Sequence, residues 1–94
     1  MMMKWIVDLT PKAKKDIRSL DTYLRKRIIE KLEFYAGQEC PFLFAAVIKN
    51  RHPVTHRFRV GDYRGLVSFD EEKKSVVVYR VGHRNEIYSK KIFV

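Results

Sequence analysis

The chain has 94 residues, of which 46% are hydrophobic and 13% aromatic, a composition that predicts one folded domain and excludes a disordered chain. Lysine and arginine number 20 against 11 aspartate and glutamate, and the resulting net charge of +9 favours an anionic partner, most often nucleic acid. A single cysteine, Cys40, excludes an internal disulfide, and no apolar run is long enough to span a membrane, so we expect a cytoplasmic protein with no membrane partner.

The first third of the sequence predicts a strand followed by two helices. Residues 4–9, KWIVDL, alternate in polarity as a half-buried strand does. Thr10, followed by a proline, and then Asp21 are candidate N-caps, and Gly37 is a candidate helix end. Residues 11–36 are therefore predicted to form a helical hairpin. Its apolar stripe consists of Ala13, Ile17, Leu20, Leu24, Ile28, Leu32 and Tyr35.

The second half of the sequence changes to the period of strands. A first apolar segment at 44–49 is a strand or the lead-in to one. Strands are then predicted at 56–60, 63–69 and 76–81. The resulting order, β-α-α-β-β-β, predicts an α+β fold with an antiparallel meander, as a single domain spanning 1–94.

A two-residue turn at 61–62 fixes the register of the two strands that it joins. Val60 should face Tyr63, and Arg59 should then lie directly opposite Arg64 on the same face of the sheet. The residues expected to cover the helices are Phe58, Val60, Tyr63, Val67 and Phe69. The opposite face should carry Arg57, Arg59 and Arg64.

This arginine face has a functional interpretation and a structural alternative. Like charges side by side on a sheet repel by roughly some tenths of a kcal/mol, whereas a phosphate-binding site gains from guanidinium groups. The strand that returns at 76–81 should bring Arg84 to the same end of the sheet. The alternative is that these are solvent-facing residues, that Arg64 pairs with an aspartate, and that 83–88 is a polar tail.

Cleavage of RNA by its own 2′-hydroxyl is a reaction that such a cluster can support. The reaction needs a base, an acid and cations around a phosphate that gains charge. His83 is the conventional candidate for proton transfer, and Tyr88 can stack on a base or orient the 2′-hydroxyl. Neither His52 nor His56 stands in a metal-ligand spacing, so we expect no metal and no cofactor.

Two stretches of the sequence carry a resemblance to a known family. LTPKAKKD, and above all HRFRVGDYRGLVSFDEEKKSVVVYRVGHRNEIY, resemble the RelE/ParE superfamily of toxins from prokaryotic toxin–antitoxin modules, in its RelE branch. The resemblance implies two N-terminal helices packed on a small twisted antiparallel sheet. It also implies a metal-independent endoribonuclease that cuts messenger RNA in the aminoacyl site of the ribosome, and a cognate antitoxin that binds the toxin in a hetero-oligomer.

The resemblance also assigns roles to residues. Arg57 and Arg59 match the paired basic residues of the family, Arg64 and Arg84 match its two arginines, and Tyr88 matches its tyrosine. The catalytic set is thus expected to be Arg59, Arg64, Arg84, Tyr88 and His83, with RNA-binding roles for Lys49, Arg57, Lys14 and Lys15. Two departures from the family pattern are the loose match at Lys49 and a glycine, Gly65, where relatives have a bulky apolar residue.

Two other functions stay open at this point. A ParE-type toxin inhibits DNA gyrase and needs no nuclease chemistry. A degenerate relative would have lost the reaction and act only through its antitoxin or operator DNA. The cluster of arginines with a tyrosine favours the ribonuclease, because a gyrase inhibitor does not need it.

Overall fold

The computed structural model describes residues 4–89, which form two helices on one face of a five-stranded sheet. The helices are α1 (Pro11–Arg18) and α2 (Thr22–Ala36). The strands are β1 (Ile6–Leu9), β2 (Ala46–Val47), β3 (His56–Val60), β4 (Tyr63–Asp70) and β5 (Ser75–His83), in the spatial order β1-β5-β4-β3-β2. Short 3₁₀ helices lie at Pro41–Phe44 and Ile87–Ser89. The predicted α+β fold is confirmed, and the segment 44–49 contributes a two-residue edge strand.

The sheet is mixed, which corrects the expectation of an antiparallel sheet. β1 pairs with β5 in parallel, from Ile6 opposite Ser75 to Leu9 opposite Val78, whereas the other three strand pairs are antiparallel. The period-two pattern shows that β1 is a strand, but it carries no information about a partner almost 70 positions away. Each of β3, β4 and β5 runs antiparallel to the strand before it, so β5 runs opposite to β2 and in the same direction as β1.

Both predicted N-caps are present at the helix starts. The Thr10 side chain accepts a hydrogen bond from the Ala13 amide at 3.1 Å, and Asp21 accepts one from the Leu24 amide at 2.9 Å. Each cap satisfies an amide that has no partner within its own helix. Gly37 is the C-cap of α2, as predicted.

The helices and the sheet enclose the main core. Trp5, Ile28 and Tyr35 are almost completely buried there, while Ile6 on the other side of β1 is 69% exposed, as the alternation predicts. Burial raises the pKa of the Tyr35 hydroxyl to about 12, so this group stays neutral. It donates a hydrogen bond to the carbonyl of Phe44 at 3.3 Å.

A smaller apolar cluster lies on the opposite face of the sheet. Leu66 is buried there against Val54, from the loop before β3, and Ile87, from the second 3₁₀ helix. This cluster covers part of that face. The part nearer the β3–β4 turn carries the arginines.

Gly65 fits the close approach of an aromatic ring. It pairs with Phe58 across β3 and β4, and a Cβ atom placed on it would stand 2.0 Å from Cε2 of Phe58. The Phe58 ring therefore occupies the space that a side chain at position 65 would need.

A buried ion pair ties α1 to the sheet. Asp16 accepts hydrogen bonds from Nε and Nη2 of Arg80 at 2.8 and 3.0 Å and from the Val81 amide at 3.0 Å. The hydrogen bond to Asp16 raises the pKa of Arg80 above its usual value. Both side chains are at most 14% exposed, so this pair is shielded from water far more than a surface salt bridge.

Candidate nucleic-acid interface

The predicted register of the β3–β4 hairpin is confirmed. Val60 lies opposite Tyr63, and Arg59 lies directly opposite Arg64. Arg57 pairs with Leu66, which places it on the same face as that arginine pair because directly opposed residues share a face. Tyr63 and Val60 pack on the helix side. The three arginines therefore share the face turned away from the helices, as the sequence predicts.

Two of the predicted site residues, Arg64 and Arg84, form hydrogen bonds with the turn between these strands. Nη1 of Arg64 donates to the carbonyls of Gly61 and Tyr63, both at 3.0 Å. The Arg84 amide donates to the Asp62 carbonyl at 2.8 Å, and Nε of Arg84 lies 3.8 Å from Oδ1 of Asp62. More than half of each side chain in this ion pair is exposed, so the pair itself contributes little stability. Arg64 and Arg84 are thus attached to one turn, and the prediction that β5 ends beside it is confirmed.

Tyr88 joins this surface through two arginines. Its hydroxyl accepts a hydrogen bond from Nη1 of Arg57 at 3.2 Å. Its carbonyl accepts one from Nη1 of Arg51 at 2.6 Å, and the Arg51 guanidinium lies 5.1 Å from the centre of the ring. The aromatic ring, which packs against the smaller apolar cluster, is therefore held between a cation and the sheet.

Arg51 contacts the candidate site residue Tyr88 and was not predicted from the sequence. It lies in the loop between β2 and β3, 37 positions before Tyr88. A loop has no periodicity from which a direction of its side chains could be derived. The available signal was the basic composition of residues 49–51, which does not indicate a contact.

The structure does not bring His83 together with the arginines. His83 lies directly opposite Tyr63 on β4, and the two rings meet edge to face with 5.5 Å between centroids. Its Nδ1 accepts a hydrogen bond from the Asn85 amide at 3.1 Å. Because Tyr63 packs on the helix side, His83 stands on that side too, at the same end of the sheet as Arg84.

His56 also lies on the helix side of the sheet. It is opposite Val67 and meets the edge of the Phe69 ring with 5.0 Å between centroids. Burial lowers its pKa from the usual 6.5, so the ring is neutral near pH 7. The arginine face thus carries neither of these two imidazoles.

The three predicted RNA-binding lysines lie apart from the arginine face. Lys14 and Lys15 are exposed on α1, which packs against β5 on the helix side. Lys49 is exposed in the loop that follows β2. These positions are basic surface around the face rather than members of it.

A cleft of about 460 Å³ opens beside the arginine pair. It is lined by Lys31, Phe44, Ala46, Arg57, Phe58, Arg59 and Arg64, with no acidic residue among them. We call this the arginine cleft. The positive charge of the arginine cleft and the exposed ring of Phe44 in its lining are suited to binding a polyanion that carries aromatic groups.

Residues 4–89 contain neither a membrane-spanning helix nor a group of side chains that could hold a metal ion. No helix in this range is long and apolar enough to cross a membrane. No three His, Cys, Asp or Glu side chains of the same range come together in a group that could hold a metal ion.

Comparisons with known proteins place this fold and surface in a class. The family model described as the ParE toxin of the type II toxin–antitoxin system parDE matches residues 7–88. No curated protein sequence matches the chain significantly. The chain belongs to this family of toxins of type II toxin–antitoxin systems, and its predicted membership of the RelE/ParE superfamily is confirmed.

Solved structures similar to the chain include RelE toxins. A double mutant of the E. coli toxin RelE in the free state has a TM-score of 0.74 and 26% identity, with 93% of each chain covered. The toxin–antitoxin complex RelBE2 from Mycobacterium tuberculosis gives 0.70 and 26%, covering 89% of this chain and 95% of that one. The same E. coli mutant in complex with a peptide of the antitoxin RelB gives 0.70 and 25%, covering 98% and 100%.

Proposed function

We propose that the protein is a toxin that cleaves messenger RNA in the aminoacyl site of the ribosome. The observation that carries this proposal is the pair Arg59 and Arg64, side by side on an open sheet face where a purely structural protein gains nothing from two like charges. The similarity to RelE toxins at 26% identity supports it.

The proposed reaction is an internal transfer at one phosphate. The 2′-oxygen of the ribose attacks phosphorus, the bond from phosphorus to the 5′-oxygen breaks, and the products are a 2′,3′-cyclic phosphate and a free 5′-hydroxyl. The 2′-hydroxyl gives its proton to a base, and the leaving 5′-oxygen receives one from an acid. Because the phosphate gains negative charge on the way, fixed guanidinium groups lower the barrier.

The structure suggests how the proposed roles divide. Arg59, Arg64 and Arg84 would hold the scissile phosphate. Arg64 and Arg84 both form hydrogen bonds with the β3–β4 turn, which fixes them at the same end of the sheet. Tyr88 would position the nucleotide, with its ring held by Arg51 and its hydroxyl by Arg57. Lys14, Lys15 and Lys49 would contribute to long-range attraction to ribosomal and messenger RNA.

A proton-transfer role for His83 is the least supported of the proposed roles. The imidazole lies against Tyr63 on the other face, so it would have to reach the phosphate around the end of the sheet. His83→Gln tests the role directly. Loss of single-turnover cleavage by a folded variant would support it, and unchanged cleavage would leave proton transfer to another group.

We further propose that a cognate antitoxin neutralises the toxin in a hetero-oligomer. Similar structures include RelE toxins bound to RelB. An apolar groove of about 450 Å³ lies between the outer edge of β1 and α2, and Ile6 and Ile29 in its lining are 69% and 43% exposed. An amphipathic antitoxin segment would cover this groove, and an acidic one would cover the basic face. Co-expression with the adjacent small open reading frame should then restore growth, and Ile6→Asp should weaken that rescue without changing cleavage.

The ParE-family match favours a second candidate function. In that case the chain would inhibit DNA gyrase by binding and would cut no RNA. A third possibility, a degenerate toxin, predicts no growth arrest at all.

Expression of the chain alone tests these functions against one another. We expect arrest of translation and messenger RNA with new 5′-hydroxyl ends at positions of stalled ribosomes. Arg64→Ala and Arg84→Ala should each lower cleavage by about a hundred- to a thousandfold in proteins that still fold and bind the antitoxin. Arg18→Ala, which removes the same charge from the exposed end of α1, is the matched control.

The opposite result would identify the alternative function. If the two arginine variants are folded and fully toxic, the ribonuclease proposal fails. Gyrase poisoning and a DNA-damage response in the same cells would then support the gyrase inhibitor.

A further inference from the structure

The arginine cleft continues around the open edge of β3. β2 pairs with β3 at two positions, Ala46 with Arg57 and Val47 with His56. Among residues 4–89, nothing pairs with that edge of β3 beyond Arg57. A second depression of about 490 Å³ begins there and shares Arg59 and Lys31 with the arginine cleft. We call it the edge groove. Its lining is Arg27, Glu30, Lys31, Phe34, Arg59, Val60 and Gly61.

The charge of the edge groove is positive on both of its walls. α2 supplies Arg27 and Lys31, and β3 supplies Arg59, whereas Glu30 is the one acidic residue of the lining. The Arg27 guanidinium approaches the β3–β4 turn, where it would lie 3.5 Å from a Cβ atom on Gly61. Cations from the helical layer thus extend the row of arginines on the sheet.

Two exposed phenyl rings stand where the groove and the cleft meet. Phe34, in the groove, is 41% exposed and Phe44, in the cleft, is 52% exposed. They meet edge to face with 5.2 Å between centroids. Nζ of Lys31 lies 5.7 Å from the centre of the Phe34 ring. The hydrogen bond from Tyr35 to the Phe44 carbonyl holds the backbone of Phe44 in place.

This combination of features fits one type of ligand. Exposed aromatic rings beside cations are how proteins bind single-stranded nucleic acid, because bases stack on the rings while the cations contact phosphates. An apolar protein segment would gain nothing from the cations, and double-stranded RNA would keep its bases stacked inside the helix.

We propose that the edge groove, together with Phe44 of the adjoining arginine cleft, binds the single-stranded RNA that flanks the scissile phosphate. Phe34 and Phe44 form the stacking platform, and Arg27 and Lys31 are the phosphate contacts. This inference rests on the proposed ribonuclease function, since it extends the path of the same RNA strand from the arginine cleft. It assigns a binding role to a wall of α2 that lies outside the apolar stripe predicted from the sequence.

Binding of a defined RNA tests the proposal without cleavage. The probe is a short mixed-sequence single-stranded RNA with 2′-O-methyl riboses, which cannot react, followed by fluorescence anisotropy over a range of salt concentrations. Phe44→Leu should weaken binding about five- to tenfold, at the low end for loss of one stacked base, without changing the dependence on salt. Phe44→Tyr should restore binding because it restores an aromatic face.

Substitution of the basic residues of the groove should change the salt dependence of binding. Lys31→Gln and Arg27→Gln should each lower the slope of log affinity against log salt by about 0.7, the value for one phosphate contact on a single strand. Lys26→Gln is the matched control on α2, and Leu43→Ala is the control beside Phe44. Both residues are exposed and neither lines the groove, so binding and salt slope should stay as in the wild type.

Two results would overturn the inference, and they differ from failure of the proposed function. If Phe44→Leu and Arg27→Gln bind the probe as the wild type does, the groove is not an RNA site, even if the wild type still cuts messenger RNA on the ribosome. If these variants lose antitoxin binding instead, the groove is a protein-docking surface and the inference is wrong. Absence of 5′-hydroxyl ends with the wild-type toxin would refute the proposed function itself.

Discussion

Arg59 on β3 and Arg64 on β4 lie directly opposite each other, in a position where a sheet is normally stabilised by opposite charges or by β-branched pairs. Replacing one of them should therefore stabilise the fold while it removes activity. We expect Arg59→Thr to raise the free energy of unfolding by roughly 0.5 kcal/mol, and the gain should shrink at high salt because salt screens the repulsion.

The matched control for this change is Arg57→Thr, measured by urea unfolding at two salt concentrations. Arg57 lies on the same strand but faces Leu66, and it donates a hydrogen bond to Tyr88. Arg57→Thr should therefore show no gain in the free energy of unfolding. Equal gains for both variants would mean that the β-propensity of threonine, and not charge repulsion, is responsible.

Gly65 should not tolerate even a methyl group. Gly65→Ala would place Cβ 2.0 Å from Cε2 of Phe58, so the ring must leave its position in the core. We expect a loss of roughly 1–3 kcal/mol in the free energy of unfolding. The double variant with Phe58→Leu should recover part of this loss, and strictly additive effects would contradict the contact.

The ion pair between Asp16 and Arg80 should matter more than the other charges on the surface. Asp16→Asn removes the negative charge that accepts hydrogen bonds from the Arg80 guanidinium and the Val81 amide, and we expect a loss of about 3 kcal/mol in the free energy of unfolding. Asp8→Asn, an exposed site on β1, makes the same chemical change and should cost almost nothing. A loss below about 0.5 kcal/mol for Asp16→Asn would show that water reaches the pair.

Stability should fall as the solution becomes acidic, partly because of His56. Burial lowers the pKa of this imidazole in the folded state from 6.5, so below that pH the unfolded chain binds a proton more readily than the folded one. The contribution of the neutral His56 imidazole to the free energy of unfolding is complete above pH 6.5. It is lost as the pH drops toward the lower pKa that His56 has in the folded state. His56→Leu should flatten this part of the profile of unfolding free energy against pH, and an unchanged profile would assign the acid sensitivity to other groups.

Two substitutions at Tyr88 distinguish the role of its aromatic ring from that of its hydroxyl group. Tyr88→Phe keeps the ring beneath the Arg51 guanidinium and loses the hydrogen bond from Arg57. If the ring positions the nucleotide by stacking, Tyr88→Phe should keep most of the cleavage rate, whereas Tyr88→Leu should lower it about five- to a hundredfold. Equal loss in both variants, measured on ribosome-bound messenger RNA, would give the essential role to the hydroxyl.

The sequence predicted the parts of this fold that local patterns determine. The cap at Asp21 and the register of Arg59 against Arg64 follow from side-chain chemistry and from a two-residue turn. The parallel pairing of β1 could not be predicted, since no local signal specifies a partner so distant in the sequence. The position of His83 depends on a different pairing, that of β5 with β4, which places it opposite Tyr63 and contains a register shift at Leu66 and Val67 that no local pattern indicates. Arg51 lies in a loop and Phe44 at the end of a short 3₁₀ helix, where the direction of a side chain depends on tertiary packing.

The parallel pair of β1 and β5 also sets the order in which the fold can assemble. β5 stands between β1 and β4 in the sheet, although it is synthesised after both of them, so β1 has no strand to pair with until residues 75–83 are available. Contacts between such distant segments form slowly. In a growing chain, the helical hairpin and the β3–β4 hairpin would therefore form separately, before β5 joins the sheet. The surface that Arg84 and Tyr88 complete would therefore come into existence last, after every other strand has been made.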